Sequence, residues 1–209
     1  MAEKVRFPLQ RAYPIPSVKN HQDFIKRYDQ IFDKEFVKKI IFANPAKDWT
    51  SMGWRGIMFA NGDVWLNYED GKLLTVNYDS PFEKKYQKQL IQKDRDGLHP
   101  SIREYKLPVI ILTTTQLRIR IDDLGKGNYR YTSWSINAKK SSPPINLLVK
   151  GERIPDGNGG NHFYLFKQGD YKYEVYISVI GKSSTPQANL SVYKKGKRIL
   201  NVNAKRVEP

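Results

Sequence analysis

From Val109 onward the sequence repeats one pattern, short runs of alternating apolar and polar residues separated by glycine-bearing turns. Leu117, Ile119 and Ile121 alternate with Arg118, Arg120 and Asp122. Successive side chains of a strand point to opposite faces, so this run reads as a half-buried strand with a charged outer face. Further strands fit Tyr129 to Ser135, Ile145 to Lys150, Phe163 to Lys167, Tyr171 to Ile180, Asn189 to Lys194 and Arg198 to Asn203. Gly125-Lys126-Gly127-Asn128, Gln168-Gly169-Asp170, a Gly181 to Pro186 loop and Lys195-Gly196-Lys197 supply the turns. Strands with one apolar face each must bury those faces together, which predicts a sandwich or open barrel.

The N-terminal half is built differently. Pro8, Pro14 and Pro16 exclude a helix over the first 19 residues and favour an extended arm. Asn20 stands at a helix-capping position, with Asp23 in the first turn. Phe24, Tyr28, Ile31, Phe32, Val37, Ile40 and Ile41 then recur at helical spacing, with a break near Asp33 and an end at Asn44-Pro45. Strands over Gly56 to Ala60 and Asp63 to Asn67 flank Asn61-Gly62, the signature of a two-residue type I′ hairpin. Glu69-Asp70-Gly71 turns into a strand over Lys72 to Asn77. Ser80, Pro81 and Glu83 form a capping box that starts a helix running to about Asp94 and stopping near Gly97. The expected fold is therefore α+β, with a helix and antiparallel meander over residues 1–107 and an all-β unit over 108–209.

The charge is strongly positive, +15 from 36 basic and 21 acidic side chains. Such a balance favours acidic partners, although the lysines are dispersed in pairs such as Lys38-Lys39 and Lys194-Lys195 and equally serve solubility. No run approaches the ~20 apolar residues of a membrane helix. The first residues lack the apolar core of a signal peptide, which fits a cytoplasmic protein or an exported one whose export segment lies outside this sequence. Cysteine is absent, which excludes disulfides, thiolate zinc sites and a cysteine nucleophile.

Catalytic patterns are scarce. His21, His99 and His162 are not spaced as metal ligands, and no Gly-x-Ser-x-Gly, phosphate-binding loop or dinucleotide fingerprint occurs. Asp156-Gly157-Asn158-Gly159-Gly160-Asn161 places side-chain oxygens along a glycine-rich loop, but it lacks the carboxylates calcium needs and reads as a strand connection. No catalytic residue, metal or cofactor is assigned. Trp54-Arg55 and Arg130-Tyr131, with Trp134 and His162, set cations beside aromatic rings, a combination suited to planar or anionic groups. The competing reading is that aromatics at strand positions belong to the core. Neither a basic recognition helix nor an RNA-binding aromatic signature is present.

Four segments carry a resemblance. Asp23-Phe24-Ile25-x-x-Tyr28-Asp29-x-Ile31-Phe32, Gly53-Trp54-Arg55-Gly56-Ile57-Met58 with Asn61-Gly62-Asp63-Val64-Trp65, Tyr129-Arg130-Tyr131-x-Ser133-Trp134 and Gly157-x-Gly159-Gly160-Asn161-His162 resemble a group of uncharacterised Gram-negative secreted proteins or lipoproteins. The likeness covers nearly the whole chain and implies export to the periplasm or beyond, with membrane attachment through a segment outside this sequence. It carries no assigned chemistry. The expectation is a non-enzymatic envelope protein that binds an acidic protein or anionic envelope polymer, for example as an inhibitor or immunity protein. The alternatives are a hydrolase of envelope polymers using Asp122, Asp123 and Glu104, and a nucleic-acid-binding protein.

Overall fold

A computed structural model describes residues 2–182 and 184–208. It contains two compact units, one formed by residues up to Leu90 and the other by Ile91–Glu208. Ser183 of the Gly181 to Pro186 loop lies outside the described residues.

In the first unit, the Asn20 side chain accepts from the Asp23 N–H at 3.0 Å and starts α1 (His21–Ile31). The apolar spacing continues past Ile31, but Asp33 breaks the helix and caps a second, α2 (Lys34–Ile41), by accepting from the Phe36 N–H at 2.9 Å. Asn44 caps a short α3 (Pro45–Asp48). Four strands, β1 (Trp49–Ser51), β2 (Ile57–Phe59), β3 (Val64–Leu66) and β4 (Leu73–Val76), pair antiparallel in chain order. Phe24, Ile31 and Phe36 from the helices cluster with Phe59, Val64 and Val76 from the sheet.

Two expectations change here. The first 19 residues, expected as an extended arm, fold back on themselves and onto the sheet: Val5 bridges Leu73, Leu9 pairs with Val18, and Val5, Leu9, Ile15 and Val18 are buried. Proline excludes the helix, but these apolar side chains still require cover. Nor is Asn61-Gly62 a two-residue turn. Phe59 faces Val64, so residues 60–63 form the connection, with positive φ at Ala60, Asn61 and Gly62 (46°, 60° and 111°). Asn77 holds this wider loop by donating its side-chain amide to the Gly62 carbonyl at 2.7 Å and its N–H to Asp63 O at 2.8 Å. Two-residue turns with both φ positive occur instead at Lys126-Gly127 and Lys195-Gly196.

Helix α4 (Pro81–Asp96) begins where the capping signal placed it, with the Glu83 N–H donating to Ser80 Oγ at 3.1 Å. Only half of the box forms, because the Glu83 carboxylate pairs with Arg11. Arg11 Nε donates to it at 2.8 Å and Arg11 Nη2 to the Tyr78 carbonyl at 2.8 Å, with both ionic side chains almost wholly buried.

The second unit is a closed eight-stranded antiparallel barrel. Its strands are β5 (Leu107–Thr113), β6 (Leu117–Gly125), β7 (Asn128–Ser135), β8 (Asn146–Pro155), β9 (His162–Gln168), β10 (Tyr171–Ile177), β11 (Ala188–Lys194) and β12 (Lys197–Arg206). Each pairs with its chain neighbour, and Lys205↔Thr113 with Arg206↔Leu112 joins β12 to β5. Closure abolishes the two open edges a sandwich or open barrel would leave. Strand β8 changes neighbours between Gly151 and Glu152, leaving β7 and joining β9. A β-carbon at Gly151 would sit 2.0 Å from the Phe166 ring, so the wall turns only because this residue has none. Ile119, Ile121, Tyr131, Phe166, Val175 and Leu190 are among the side chains that fill the interior.

Most of the charged face of β6 does not meet water: Arg118 is half-buried, and its neighbours are covered. Arg120, Asp122 and Arg130 are 1%, 0% and 4% exposed. Ile91, Leu98, Ile102 and Tyr105 form a separate apolar cluster with Trp134 of β7, which explains why residues 91–107 belong with the barrel. Among the described residues no helix is long and apolar enough to cross a membrane.

Candidate functional site

Trp54 and Arg55 occupy a tight 3-10 turn, Gly53–Arg55, between β1 and β2. Met52 N–H donates to Gly56 O at 2.8 Å and Gly56 N–H to Gly53 O at 3.0 Å, closing the loop on itself. Gly53 has φ 61° and Gly56 φ 107° with ψ −155°. A β-carbon on Gly56 would lie 2.1 Å from the Leu66 carbonyl oxygen, so the loop hugs β3 as only glycine permits. The effect is to push the two intervening side chains outward. Trp54 is 73% exposed, and Arg55 is exposed beside it. Burying indole is worth a large apolar area, so a tryptophan held out by a fixed turn forgoes that gain in the free protein.

The facing wall is the turn from β3 to β4. Asn67 Oδ1 accepts from the Glu69 N–H at 2.8 Å and the Asp70 N–H at 3.1 Å, which sets Tyr68 outward at 66% exposure. Arg6 completes the site. Its N–H bonds the Leu73 carbonyl at 2.9 Å, and its guanidinium lies 3.3 Å from Asp70. That guanidinium and the Lys72 N–H help to hold the Asp70 carboxyl below its ordinary range, the Lys72 bond contributing most. Together these groups line an open cleft of about 470 Å³ that presents Trp54, Tyr68, Arg6, Arg55 and Glu69.

The other four residues singled out in the sequence lie in the barrel unit and are buried. Tyr131 points inward, its ring 5.6 Å from those of Phe166 and Tyr173, and burial pushes its hydroxyl up to about 12. Trp134 is 1% exposed and donates its indole N–H to Ser142 O at 2.9 Å. Arg130 donates to Asp122 Oδ2 through Nε at 3.2 Å and Nη2 at 2.7 Å, and to the carbonyls of Ile102 and Glu104 at 2.6 and 3.0 Å. His162 is 8% exposed, with Nδ1 2.8 Å from Gly160 O. Arg130, Tyr131 and Trp134 sit in β7, whose inner face is covered by the barrel interior and whose outer face is covered by residues 91–107, while His162 of β9 is buried on the inner face opposite Ile177.

The carboxylates considered for hydrolysis do not form an open pair. Asp122 is held by Arg120 Nε at 2.7 Å as well as by Arg130. Burial pushes its carboxyl up, against the pull of the two guanidiniums. Asp123 follows it in the strand, on the opposite face, and accepts from the Gly125 N–H at 2.6 Å. Glu104 is exposed, and its backbone carbonyl serves Arg130. The network extends through Arg120 Nη1, 2.7 Å from Asp94, to Tyr105, whose hydroxyl donates to Asp94 at 2.8 Å. The Arg95 and Arg120 guanidiniums lie 4.9 and 4.8 Å from the Tyr105 ring centre. Burial and the Asp94 carboxylate raise the Tyr105 hydroxyl well above its ordinary value.

In the glycine-rich loop, Asp156 accepts from the Tyr176 hydroxyl at 2.7 Å, and Asn161 Oδ1 accepts from the Val179 and Ile180 N–H groups at 2.7 and 3.0 Å. These oxygens are committed to protein donors, and the segment joins β8 to β9. Among the described residues no cluster of three or more His, Asp or Glu side chains is arranged to hold a metal ion.

No family model, curated protein or solved structure matches this chain. Arg6 and Tyr68, which complete the cleft, were not among the residues singled out in the sequence. Arg6 arrives through the Val5–Leu73 bridge, a long-range pairing that no local pattern announces. The Asn67 turn that projects Tyr68 had a signal in its Asn and Asp residues.

Proposed function

We propose that this protein works by binding, without catalysis, and that it holds an acidic partner protein at the Trp54–Arg55 cleft. The observation that carries the reading is a 73% exposed tryptophan fixed beside an exposed arginine on a turn that glycine alone permits. Aromatic and arginine side chains of this kind anchor protein interfaces, because they bury a large area while losing little conformational freedom. Ile41 and Phe42, 68% and 83% exposed at the end of α2, add further apolar surface to the same unit. The excess of basic side chains supports an acidic partner by speeding encounter and disfavouring cationic competitors. The motif resemblance supports a site of action in the cell envelope, and inhibition of an envelope enzyme or immunity to a toxin is the form proposed.

The test is differential capture. Immobilised protein and a Trp54→Ala/Arg55→Ala variant are exposed to envelope extract at physiological salt. An acidic protein retained by the first and lost from the second supports the reading. Equal retention by both contradicts it.

A further inference from the structure

The geometry points to a second, independent site: the barrel rim around Arg153 and Arg206 binds a phosphate-type oxyanion. The strand ends at Pro155, His162, Ile177, Ala188 and Arg206 all open on one end of the barrel. Cross-strand partners share a face, and that rule fixes where the nearby side chains point. Arg153 faces Tyr164, which belongs to the interior cluster. Arg206 faces Leu112 and stands two residues beyond Ala204, both interior. His162 faces Ile177, also interior. Two exposed arginines, a buried imidazole and a buried tyrosine are therefore set on the inner-face side at one rim.

The two guanidiniums act on the same groups. Burial first, then the nearby charges of Arg153 and Arg206, disfavour protonation of the His162 ring. Burial and Tyr129 push the Tyr164 hydroxyl up to about 12, while both arginines oppose that shift. Neither arginine forms an ion pair with a carboxylate among the described residues. Asp123, on the inner face of β6, accepts from the Gly125 N–H, and Asp156 from the Tyr176 hydroxyl. Elsewhere in this barrel, Arg120 and Arg130 face the outer side of the wall and each is matched to a carboxylate. The rim arginines lack such a carboxylate, and an arginine cannot shed its charge to relieve the repulsion. A planar guanidinium fork suits a phosphate, which presents several oxygens at once.

The rim is also built to hold its groups still. Asn161 clamps the Val179 and Ile180 N–H groups over the glycine-rich loop, and a β-carbon at Gly159 would lie 2.1 Å from Ile180. His162 Nδ1 is engaged by Gly160 O, so in the neutral ring Nε2 accepts, as the P–OH of a hydrogen phosphate requires. Val179 and Ile180 are 56% and 47% exposed on the adjoining loop. The phosphate of an anionic lipid headgroup and a free phosphate present the same chemistry to the arginines.

The experiment uses the full chain with two probes. Inorganic phosphate is titrated while the His162 ring signals are followed by NMR. Sedimentation then compares phosphatidylcholine vesicles with and without phosphatidylglycerol. Arg153→Met and Arg206→Met are the test variants, and Lys167→Met, on β9, removes the same charge elsewhere. Saturable phosphate binding that shifts His162, weakened tenfold or more by either arginine variant but not by Lys167→Met, supports the site with free phosphate as its ligand. Binding only to phosphatidylglycerol vesicles, with the same dependence, supports it with a lipid source. The site is overturned if neither probe binds, or if Lys167→Met weakens binding as much as the arginine variants do.

Discussion

Replacing Gly56 with alanine tests how the cleft is held, and Gly53→Ala is its internal control. Both glycines have positive φ, but their surroundings differ. A β-carbon on Gly53 meets nothing within 4 Å, so Gly53→Ala adds only left-handed strain, about 1–2 kcal/mol. Gly56 lies in a backbone region that is nearly exclusive to glycine, which costs about 1–3 kcal/mol for any other residue. Its new β-carbon would also meet Leu66 O at 2.1 Å, against 3.4 Å or more for ordinary contact. Displacing a strand carbonyl adds about 1–3 kcal/mol, as overpacking does in cores. Gly56→Ala is thus expected to cost on the order of 4 kcal/mol, at least twice its neighbour. Urea unfolding followed by fluorescence reads this out, since Trp49, Trp54 and Trp65 all report on the first unit. Equal midpoints for the two variants would refute the close approach of the loop to β3.

Other outcomes follow from the barrel and its loops. Asp122→Ala leaves Arg120 and Arg130 buried without their shared carboxylate and is expected to cost about 3–5 kcal/mol by thermal unfolding, whereas a loss below about 1 kcal/mol would show the network to be incidental. Burial pushes the Asp94 carboxyl up, but Arg120, Tyr105 and Lys140 together outweigh it and hold the group below its ordinary range. Its stabilisation is therefore complete above the unfolded value of about 3.9 and lost as pH falls through the folded one. The stability gap between the native chain and Asp94→Asn is expected to stay constant from neutrality to mild acid and close below about pH 4; a gap that widens there contradicts the sign. Millimolar calcium is expected to leave the melting temperature unchanged, because the Asp156 and Asn161 oxygens already serve protein donors, and a rise abolished by Asp156→Ala would overturn that. Duplex DNA, RNA and heparin are expected to bind comparably at low salt and to release near physiological strength, where screening shortens to about 8 Å. Tight, form-selective nucleic-acid binding at that salt is the contrary result.

Local chemistry made much of the fold legible. Asn20, Ser80 and the break at Asp33 set helix boundaries through bonds that span three residues, and the β6 alternation placed Ile119 and Ile121 inside the barrel. What alternation does not reveal is the covering on each face. Arg118, Arg120 and Asp122 looked like a solvated face, yet residues 91–107 bury Arg120 and Asp122, and charge pairing across strands makes that burial tolerable. The same limit applied to the candidate site. Trp54 and Trp134 were equivalent as letters beside basic residues, but one is 73% exposed and the other 1%. The difference arises because Gly53 and Gly56 turn Trp54 away from the sheet, while Trp134, near the end of β7, packs in one cluster with Leu98 and Ile102.

The claim that an acidic protein docks on the Trp54 cleft is tested most directly by site-specific photo-crosslinking in cells. A benzophenone side chain introduced at position 54 is compared with one at position 193, on β11 of the barrel unit. The expected result is a discrete adduct from position 54 with a protein of acidic isoelectric point, abolished when Arg55→Glu reverses the adjacent charge. No adduct at position 54, or one unaffected by Arg55→Glu, would contradict the account.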